Sequence, residues 1–345
     1  MNPYALSIML SSIATGTIIV VSSSHWLLVW IGLEINTLAI IPLMSQQLHP
    51  RSTEATMKYF LTQAIASALI LFSATTNAWL TNQWQMTELL PLQTNMITIA
   101  LAMKLGLAPM HFWLPEVLQG IDLTTGLILS TWQKIAPMMV IYMTYNTLNP
   151  HLLTPMAILS TIIGGWGGLN QTQLRKMMAY SSIAHLGWMM AVATMCPNLM
   201  LLNFMVYLIM TSSMFLTMKY LKTTSINLLS VSWSSTPTMA AISSLTLLSL
   251  GGLPPTSGFM PKWLILQELT KQHTTITATM LAMSSLLSLF FYLRLTYSMT
   301  LTNSPNTSNA TTTWRQKSNQ ASMPYSLVTI MTILLLPITP NLLPQ

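Results

Sequence analysis

The sequence predicts an all-α, polytopic membrane protein, and three observations lead to this fold class. Of the 345 residues, 52% are hydrophobic and only 6% are charged, far below the charged fraction of about 25% in soluble domains. Apolar runs of about twenty residues, the length of a membrane-spanning helix, recur from end to end. Two of these runs share a pattern of glycine and proline. We therefore expect one integral membrane domain over residues 1–345.

The apolar runs divide the chain into about eleven transmembrane helices. Connections between them are short and carry turn residues, and residues 300–322, rich in Asn, Thr and Ser, are expected to form an exposed loop. The first run has no basic region before it and no cleavage site, so we interpret it as a span and not as a signal peptide. The predicted spans are 3–22, 25–44, 54–78, 95–117, 124–145, 151–169, 176–194, 199–219, 238–269, 274–298 and 323–343.

Two of the predicted spans, 95–117 and 238–269, are expected to be broken helices. Both carry a Gly-Leu-x-Pro motif with a second proline six residues later, at Gly106, Leu107, Pro109 and Pro115 and at Gly252, Leu253, Pro255 and Pro261. Proline removes a backbone donor and clashes with the preceding turn. At membrane depth, such a break survives only where the freed carbonyls meet protein or water. Paired breaks in two repeats are typical of transporters with an ion path near the midplane.

Four ionisable residues near the middle of predicted spans are the candidate functional residues: Glu34, Lys104, Lys134 and, just past its break, Lys262. A charge at the bilayer centre costs roughly 3 kcal/mol. A lone lysine near a span end can form a structural pair or snorkel to the surface. Lys104 and Lys134, however, lie about ten residues from the starts of their spans. The set therefore favours a proton or cation path.

The energies of such charges suggest how they could move protons. Burial disfavours a charged group, whereas an opposite charge nearby stabilises it. Two charges about 6 Å apart interact by roughly 3 kcal/mol at an effective dielectric of about 20, and moving one charge against about 150 mV requires roughly 3.5 kcal/mol. Because these energies are comparable, we expect Glu34 to tune Lys104, protons to pass through Lys134, and Lys262 to release them on the positive side.

Two histidines are candidate proton relays. His111 lies inside the first predicted break, and His185 lies in the middle of the span 176–194. An intramembrane histidine can equally serve helix packing, so both interpretations stay open for each.

Several other classes of protein are excluded. The single cysteine excludes disulfides within the chain and any CxxC metal or haem site. The formal charge of +7 comes from thirteen basic residues spread along the chain, not from a cluster of the kind that nucleic-acid binding needs. No nucleotide, flavin, haem or iron–sulfur motif is present. We expect no metal or cofactor site and no redox chemistry in this chain.

The basic residues near loops predict the orientation, because positive residues are retained on the side of insertion. If the N-terminus lies on the negative side and the number of spans is odd, Lys271 is the only one of these basic residues on the positive side. The basic residues on the N-terminal side are Arg51, Arg175, Lys176, Lys219, Lys222, Arg315 and Lys317.

Four segments carry a resemblance to a known family: WIGLEINTLAIIPL, MKLGLAPMHFWLPE, GGWGGLNQTQLRKMMAYSSIAHLGW and LLSLGGLPPTSGFMPKW. They resemble the antiporter-like chain 2 family of mitochondrial NADH:ubiquinone oxidoreductase (respiratory complex I) in its vertebrate form, and the resemblance covers essentially the whole chain. It implies a core membrane-arm subunit that translocates protons, with inverted repeats that each contain one broken helix. It also implies that Glu34, Lys104, Lys134 and Lys262 form the proton path.

The same resemblance implies location and partners. It places the chain in the mitochondrial inner membrane, with the N-terminus on the matrix side and the C-terminus on the intermembrane-space side. The neighbours would be chain 4L, chain 4 and membrane lipid. NADH, FMN, iron–sulfur clusters and ubiquinone would be bound by other subunits. The chain resembles the shortened animal form, which lacks N-terminal helices of its bacterial relatives.

Two other functions remain as alternatives to a subunit of a redox-driven pump. A self-sufficient secondary cation/proton antiporter could use the same buried lysines and broken helices. A structural membrane scaffold, whose charges pair only for assembly, gives no reason for Lys104 and Lys262 to lie beside two matched breaks.

Overall fold

The computed structural model describes residues 2–46, 49–301 and 323–339. Within these ranges the regular secondary structure is helical, apart from two isolated β-bridges, His25–Gln85 and Gln173–Ser225. The predicted all-α class is therefore confirmed. Most of the loop predicted over 300–322 lies outside the described residues.

The chain forms two compact units, Met1–Ser160 with Ala193–Pro197 and Thr161–Val192 with Asn198–Gln345. The helices of the first unit are α1 Pro3–Ser22, α2 Trp26–Met44, α3 Pro50–Thr81, α4 Pro91–Leu105, α5 Trp113–Gly120, α6 Leu123–Ser130 and α7 Trp132–Met143. The residues of α8, Pro150–Gly168, are divided between the two units. The following helices are α9 Leu174–Val192, α10 Pro197–Leu221, α11 Ile226–Ser235, α12 Pro237–Gly251, α13 Phe259–Lys271, α14 Thr275–Thr300 and α15 Met323–Leu334, with a 3₁₀ turn at Leu336–Ile338.

Proline is the first residue of six described helices, α1, α3, α4, α8, α10 and α12. The first helical position needs no backbone donor, and the fixed φ of proline suits the helix. Side chains cap three of these starts, including that of α8. The Asn2 Oδ1 accepts from the Tyr4 N–H at 3.2 Å, and His49 and Ser52 form a reciprocal capping box at the start of α3. These signals explain why the helix starts follow the predicted span starts closely.

The outer surface of the helices is apolar. Trp79 is 84% exposed and Leu301 is 77% exposed, which is typical of a chain whose surface faces lipid. By length and composition, five described helices are able to cross a membrane: α1, α2, α3, α10 and α14. The sequence predicted about eleven spans. Part of the difference between the two numbers comes from the breaks, because the predicted spans 95–117 and 238–269 each correspond to two shorter helices.

Two further segments differ from the prediction. The predicted span 124–145 is not one helix but two, α6 and α7, separated at Thr131. The segment between the predicted spans 199–219 and 238–269 contains the helix α11, which follows Ser225 at its N-cap position. Its ten residues are too few to cross a bilayer, and it packs against α12 and α14.

Close helix contacts hold the first unit together. A Cβ added to Gly32 would lie 2.8 Å from the Gly16 carbonyl oxygen, so α1 and α2 approach closely at this pair. Likewise, a Cβ on Gly120 would lie 2.7 Å from the Arg51 carbonyl oxygen, where α5 meets α3. Small residues permit such contacts between membrane helices. They hold α2, α3 and α5 around the candidate site.

Candidate functional site

The first break follows α4, and its geometry comes from Gly106. This residue is left-handed, with φ 79° and ψ 40°, a conformation that glycine adopts without steric cost. The N–H groups of Gly106 and Leu107 both donate to the Ala102 carbonyl at 2.9 Å, as in the Schellman ending of a helix. Lys104 lies in the last turn of α4 and is 6% exposed. A buried lysine therefore lies at the carbonyl end of an interrupted helix.

A tryptophan provides a second donor to one of the last carbonyls of α4, which already accepts from the Gly106 N–H at 3.2 Å. The Trp113 Nε1 donates to the Met103 carbonyl at 3.1 Å. His111 lies inside the break and is buried, with its Nδ1 3.3 Å from the Pro109 carbonyl oxygen and its ring 4.3 Å from that of Phe112. Such contacts are typical of a residue packed within a loop. They do not test the relay role of His111, which stays a prediction.

The second break, after α12, repeats the first in backbone geometry. Gly252 has φ 83° and ψ 42°, and the N–H groups of Gly252 and Leu253 donate to the Leu248 carbonyl at 3.1 and 3.4 Å. Here a lysine satisfies the end of the helix, because the Lys262 Nζ donates to the Gly251 carbonyl at 2.9 Å. A cation at a helix C-terminus is stabilised by the partial negative charge of the terminal carbonyls. Lys262 thus reaches back from α13 to the break.

A third interruption, which the sequence analysis missed, lies beside Lys134. Thr131 separates α6 from α7 with φ −111° and ψ −73°, and the Lys134 N–H donates to the Thr131 carbonyl at 3.2 Å. Pro137, inside α7, has no N–H for the Gln133 carbonyl, and its ring disturbs the turn before it. Lys134 itself is 4% exposed. The buried Lys104 and Lys134 and the half-buried Lys262 therefore each lie near an interrupted helix.

The side chains of Lys104 and Lys134 line one cavity in the first unit. The cavity offers about 20 Å³ to the centres of water molecules, and one water needs roughly 10–15 Å³ on this measure. The Lys104 Nζ is buried without a hydrogen bond to any described residue. The same is true of both amide atoms of Asn36, whose side chain packs against Gly16 of α1. A water molecule in this space would therefore have donors and acceptors around it. The other polar residues of the lining are Thr37, Tyr59, Gln63 and Gln133.

Glu34 lies on α2, the helix that brings Asn36 and Thr37 to the cavity. Its Oε2 is buried and has no hydrogen-bond partner in the described part of the chain. Glu34 is close enough to Lys104 and to Tyr59 for electrostatic interaction. Since the Lys104 Nζ makes no hydrogen bond, the two charges are near each other without direct contact. The structure thus brings together Glu34, Lys104 and Lys134.

The second unit holds the other two predicted residues, Lys262 and His185. His185, on α9, is 5% exposed, and its ring centroid lies 5.7 Å from that of Tyr207 on α10. The surroundings of His185 are polar as well as aromatic, as the neighbouring serines of α9 show. Its role as a relay stays a prediction.

Sequence reasoning missed the uncharged polar residues of the cavity. Gln133 is one of these residues. Its Nε2 donates to the Asn36 carbonyl at 3.1 Å and so joins α7 to α2 at the cavity. The available signal was the presence of Asn and Gln within apolar spans, where unpaired amides are costly.

An ion cluster at α3 and α5 was also missed. The Lys58 Nζ contacts the Glu54 Oε1 at 2.5 Å and the Glu116 Oε2 at 2.6 Å. All three side chains are well exposed. The cluster joins α3 to α5 at the surface. Among the residues described, no three His, Cys, Asp or Glu side chains form a group able to hold a metal ion.

Comparison with known proteins agrees with this arrangement. Residues 23–288 match the family described as NADH:quinone oxidoreductase/Mrp antiporter, TM, and residues 289–343 match the NADH dehydrogenase subunit 2 C-terminus. NADH-ubiquinone oxidoreductase chain 2 of Xenopus laevis is 62% identical over 99% of both chains. The same chain of Salmo salar is 62% identical over 99% of this chain and 98% of that one.

A solved structure shows the same fold. A chain of respiratory complex I from Thermus thermophilus superposes with a TM-score of 0.87 at 24% identity, covering 99% of this chain and 79% of the other. The fold is thus the antiporter-like helical fold found in that complex. Because these relatives are 62% identical over nearly their full length, this chain belongs to the NADH-ubiquinone oxidoreductase chain 2 family.

Proposed function

We propose that this chain is the proton-translocating core subunit of the membrane arm of respiratory complex I, in the mitochondrial inner membrane. The observation that carries the proposal is that Lys104 and Lys134 line one buried polar cavity with room for water. Proton transfer is coupled to NADH oxidation and ubiquinone reduction in other subunits. Membership of the chain 2 family supports this coupling, since the relatives are named as chains of that oxidoreductase.

The first unit supplies a proton-transfer site whose charges respond to one another. Glu34 interacts electrostatically with Lys104 but does not contact it, so a small approach would stabilise a proton on Lys104. Two like charges on one poorly solvated cavity repel each other. A proton arriving at Lys104 therefore favours proton loss from Lys134, with water in the cavity as the carrier between them.

The second unit supplies the release step. The Lys262 ammonium is held by the Gly251 carbonyl at the end of α12. Such a bond to a charged donor contributes about 1.5–3 kcal/mol, comparable to the work of moving a charge across a membrane potential. Movement of Lys262 away from this carbonyl is the event that we assign to proton release on the positive side.

The arrangement in the membrane follows from the same proposal. The chain is one membrane domain of about eleven spans, in which α4 with α5, α6 with α7, and α12 with α13 each act as one interrupted span. The N-terminus lies on the matrix side and the C-terminus on the intermembrane-space side, supported by the basic loops.

The partners and cofactors of the complex complete the proposal. Chain 4L adjoins the side of Glu34, chain 4 adjoins the opposite side, and lipid covers the remaining surface. NADH, FMN, the iron–sulfur clusters and ubiquinone are bound by other subunits. This chain is a translocase subunit without redox chemistry of its own.

The alternative, a self-sufficient cation/proton antiporter, rests on the Mrp antiporter part of the family description. The full-length identity to oxidoreductase chains favours the subunit. The antiporter would exchange cations for protons when reconstituted alone, whereas the subunit requires NADH and the assembled complex.

The test replaces each cavity lysine by methionine, which keeps most of the length of the side chain and removes the charge. We expect Lys104→Met and Lys134→Met to abolish most NADH-driven proton translocation in membrane vesicles that contain the assembled complex. Lys271→Met is the control, because the Lys271 side chain is 61% exposed. Wild-type translocation in both cavity variants, with the complex assembled, would refute the proposal.

A further inference from the structure

The second unit contains buried hydroxyl groups that the function proposed above does not use. Tyr207 is 0% exposed and Tyr292 is 2% exposed. Between them on α9 lie Ser181 and Ser182, both fully buried. Ser181 and Ser182 donate to the Met178 and Ala179 carbonyls at 2.8 and 2.7 Å, and lone pairs on both oxygens remain. Buried polar groups are costly unless they are hydrogen-bonded, so four hydroxyls next to His185 form a polar group inside this unit.

Tyr292 connects this group to the second break. It lies on α14, with its Cβ and Cδ2 at 3.8 and 3.7 Å from the position that a Cβ on Gly251 would take. Gly251 is the residue whose carbonyl binds the Lys262 Nζ. From this contact the Tyr292 ring extends to the hydroxyl of Ser181. The Tyr292 Oη is buried and makes no close hydrogen bond to a described residue, so it has a free proton and free lone pairs.

Tyr207 forms the other end of the group. Its hydroxyl interacts with the side chains of Ser182 and Thr211, and its ring lies 5.7 Å from that of His185. The phenol groups of Tyr207 and Tyr292 are also close enough for electrostatic interaction. Because Ser182 donates to the Ala179 carbonyl at 2.7 Å, its lone pairs remain able to accept a proton from Tyr207.

We propose that Tyr207 and Tyr292 carry protons between His185 and Lys262 within the second unit. This inference rests on the proposed function, and it adds two proton-carrying residues to the path. In each step a hydroxyl oxygen gains one proton on a lone pair while its own O–H bond breaks and that proton passes onward. Transfer between groups that are not in direct contact requires a water molecule between them. The hydroxyls return to their starting state by rotation, so no oxidant or reductant is involved.

The test removes one hydroxyl at a time in the assembled complex. We expect Tyr292→Phe to slow NADH-driven proton translocation about tenfold or more and to raise the solvent deuterium isotope effect on it, because proton transfer becomes limiting. Tyr297→Phe makes the same chemical change on the same helix at a position that is 57% exposed. It should leave both quantities unchanged. A packing defect alone would lower assembly without raising the isotope effect.

Two further variants separate the possible failures. If Tyr292→Phe does not assemble, Ser181→Ala tests the same route and should show the same isotope effect. Wild-type translocation in Tyr292→Phe, together with its loss in Lys262→Met, would overturn the relay and leave the proposed function standing. Wild-type translocation in Lys262→Met would overturn both.

Discussion

The hydrogen bond between Lys262 and the end of α12 can be tested by adding one methyl group. In Gly252→Ala, the new Cβ would lie 2.9 Å from the Lys262 Nζ, 3.1 Å from its Cδ and 3.2 Å from its Cε. The lysine must therefore move, and its bond to the Gly251 carbonyl is lost. An alanine at φ 83° also costs about 1–2 kcal/mol in backbone strain.

The strain and the lost bond can be separated, because the chain contains a matched glycine. Gly106 has φ 79°, but a Cβ there would meet the Leu114 Cδ1 at 2.8 Å and no lysine. Both variants should lose thermal stability because of the backbone strain. Only Gly252→Ala should also lose the bond to a charged donor, worth about 1.5–3 kcal/mol. The population with Lys262 in its observed position should then fall about tenfold to a hundredfold.

The assay measures proton translocation per NADH oxidised in assembled complexes, together with the temperature of thermal inactivation. We expect both variants to inactivate at a lower temperature and only Gly252→Ala to lose most of its translocation. Equal losses of translocation in the two variants would refute the reasoning, because the effect would then come from backbone strain. Full translocation in Gly252→Ala would show that the position of Lys262 does not matter.

Two other changes test the contacts around the first break. Trp113→Phe removes one of two donors to the Met103 carbonyl, the other being the Gly106 N–H. It should cost about 0.5–1.5 kcal/mol, seen as thermal inactivation at a lower temperature. Trp79→Phe, at an 84% exposed position, should have little effect, and equal effects would contradict the role of the indole. Lys58→Met removes both ion pairs of the α3–α5 cluster and should lower the inactivation temperature slightly at low salt. The difference from wild type should shrink at high salt, because exposed charges are screened, and a difference independent of salt would contradict this explanation.

The fold was largely predictable, because its strongest signals are local. Apolar runs located the helices, and prolines at positions such as Pro3 and Pro237 mark their starts. The two matched glycines were also informative, since a left-handed residue at a helix end strongly favours glycine. The interruption at Thr131 was missed because its cause, Pro137, lies more than a turn later, where a helix can also continue with a kink. The short helix α11 was not predicted, because helices were identified from apolar runs long enough to span a membrane.

The candidate site was predictable in its charges and not in its contacts. Glu34, Lys104 and Lys134 stand out because charges in apolar spans are rare, and the structure brings them together. The partner of Lys262 could not be predicted, since a backbone carbonyl has no signature in the sequence. The same applies to Tyr292, which resembles any aromatic packing residue until its neighbours Gly251 and Ser181 are known.

The two Schellman endings differ in one respect that affects how each can change state. At α4 the extra donor is an indole, which stays neutral under all physiological conditions. At α12 it is the amino group of a lysine, which can gain or lose a proton. The same backbone turn is therefore bound once by a side chain that is always neutral and once by a side chain whose charge can change. Of two such helix ends, one can therefore keep its shape fixed while the other becomes sensitive to voltage.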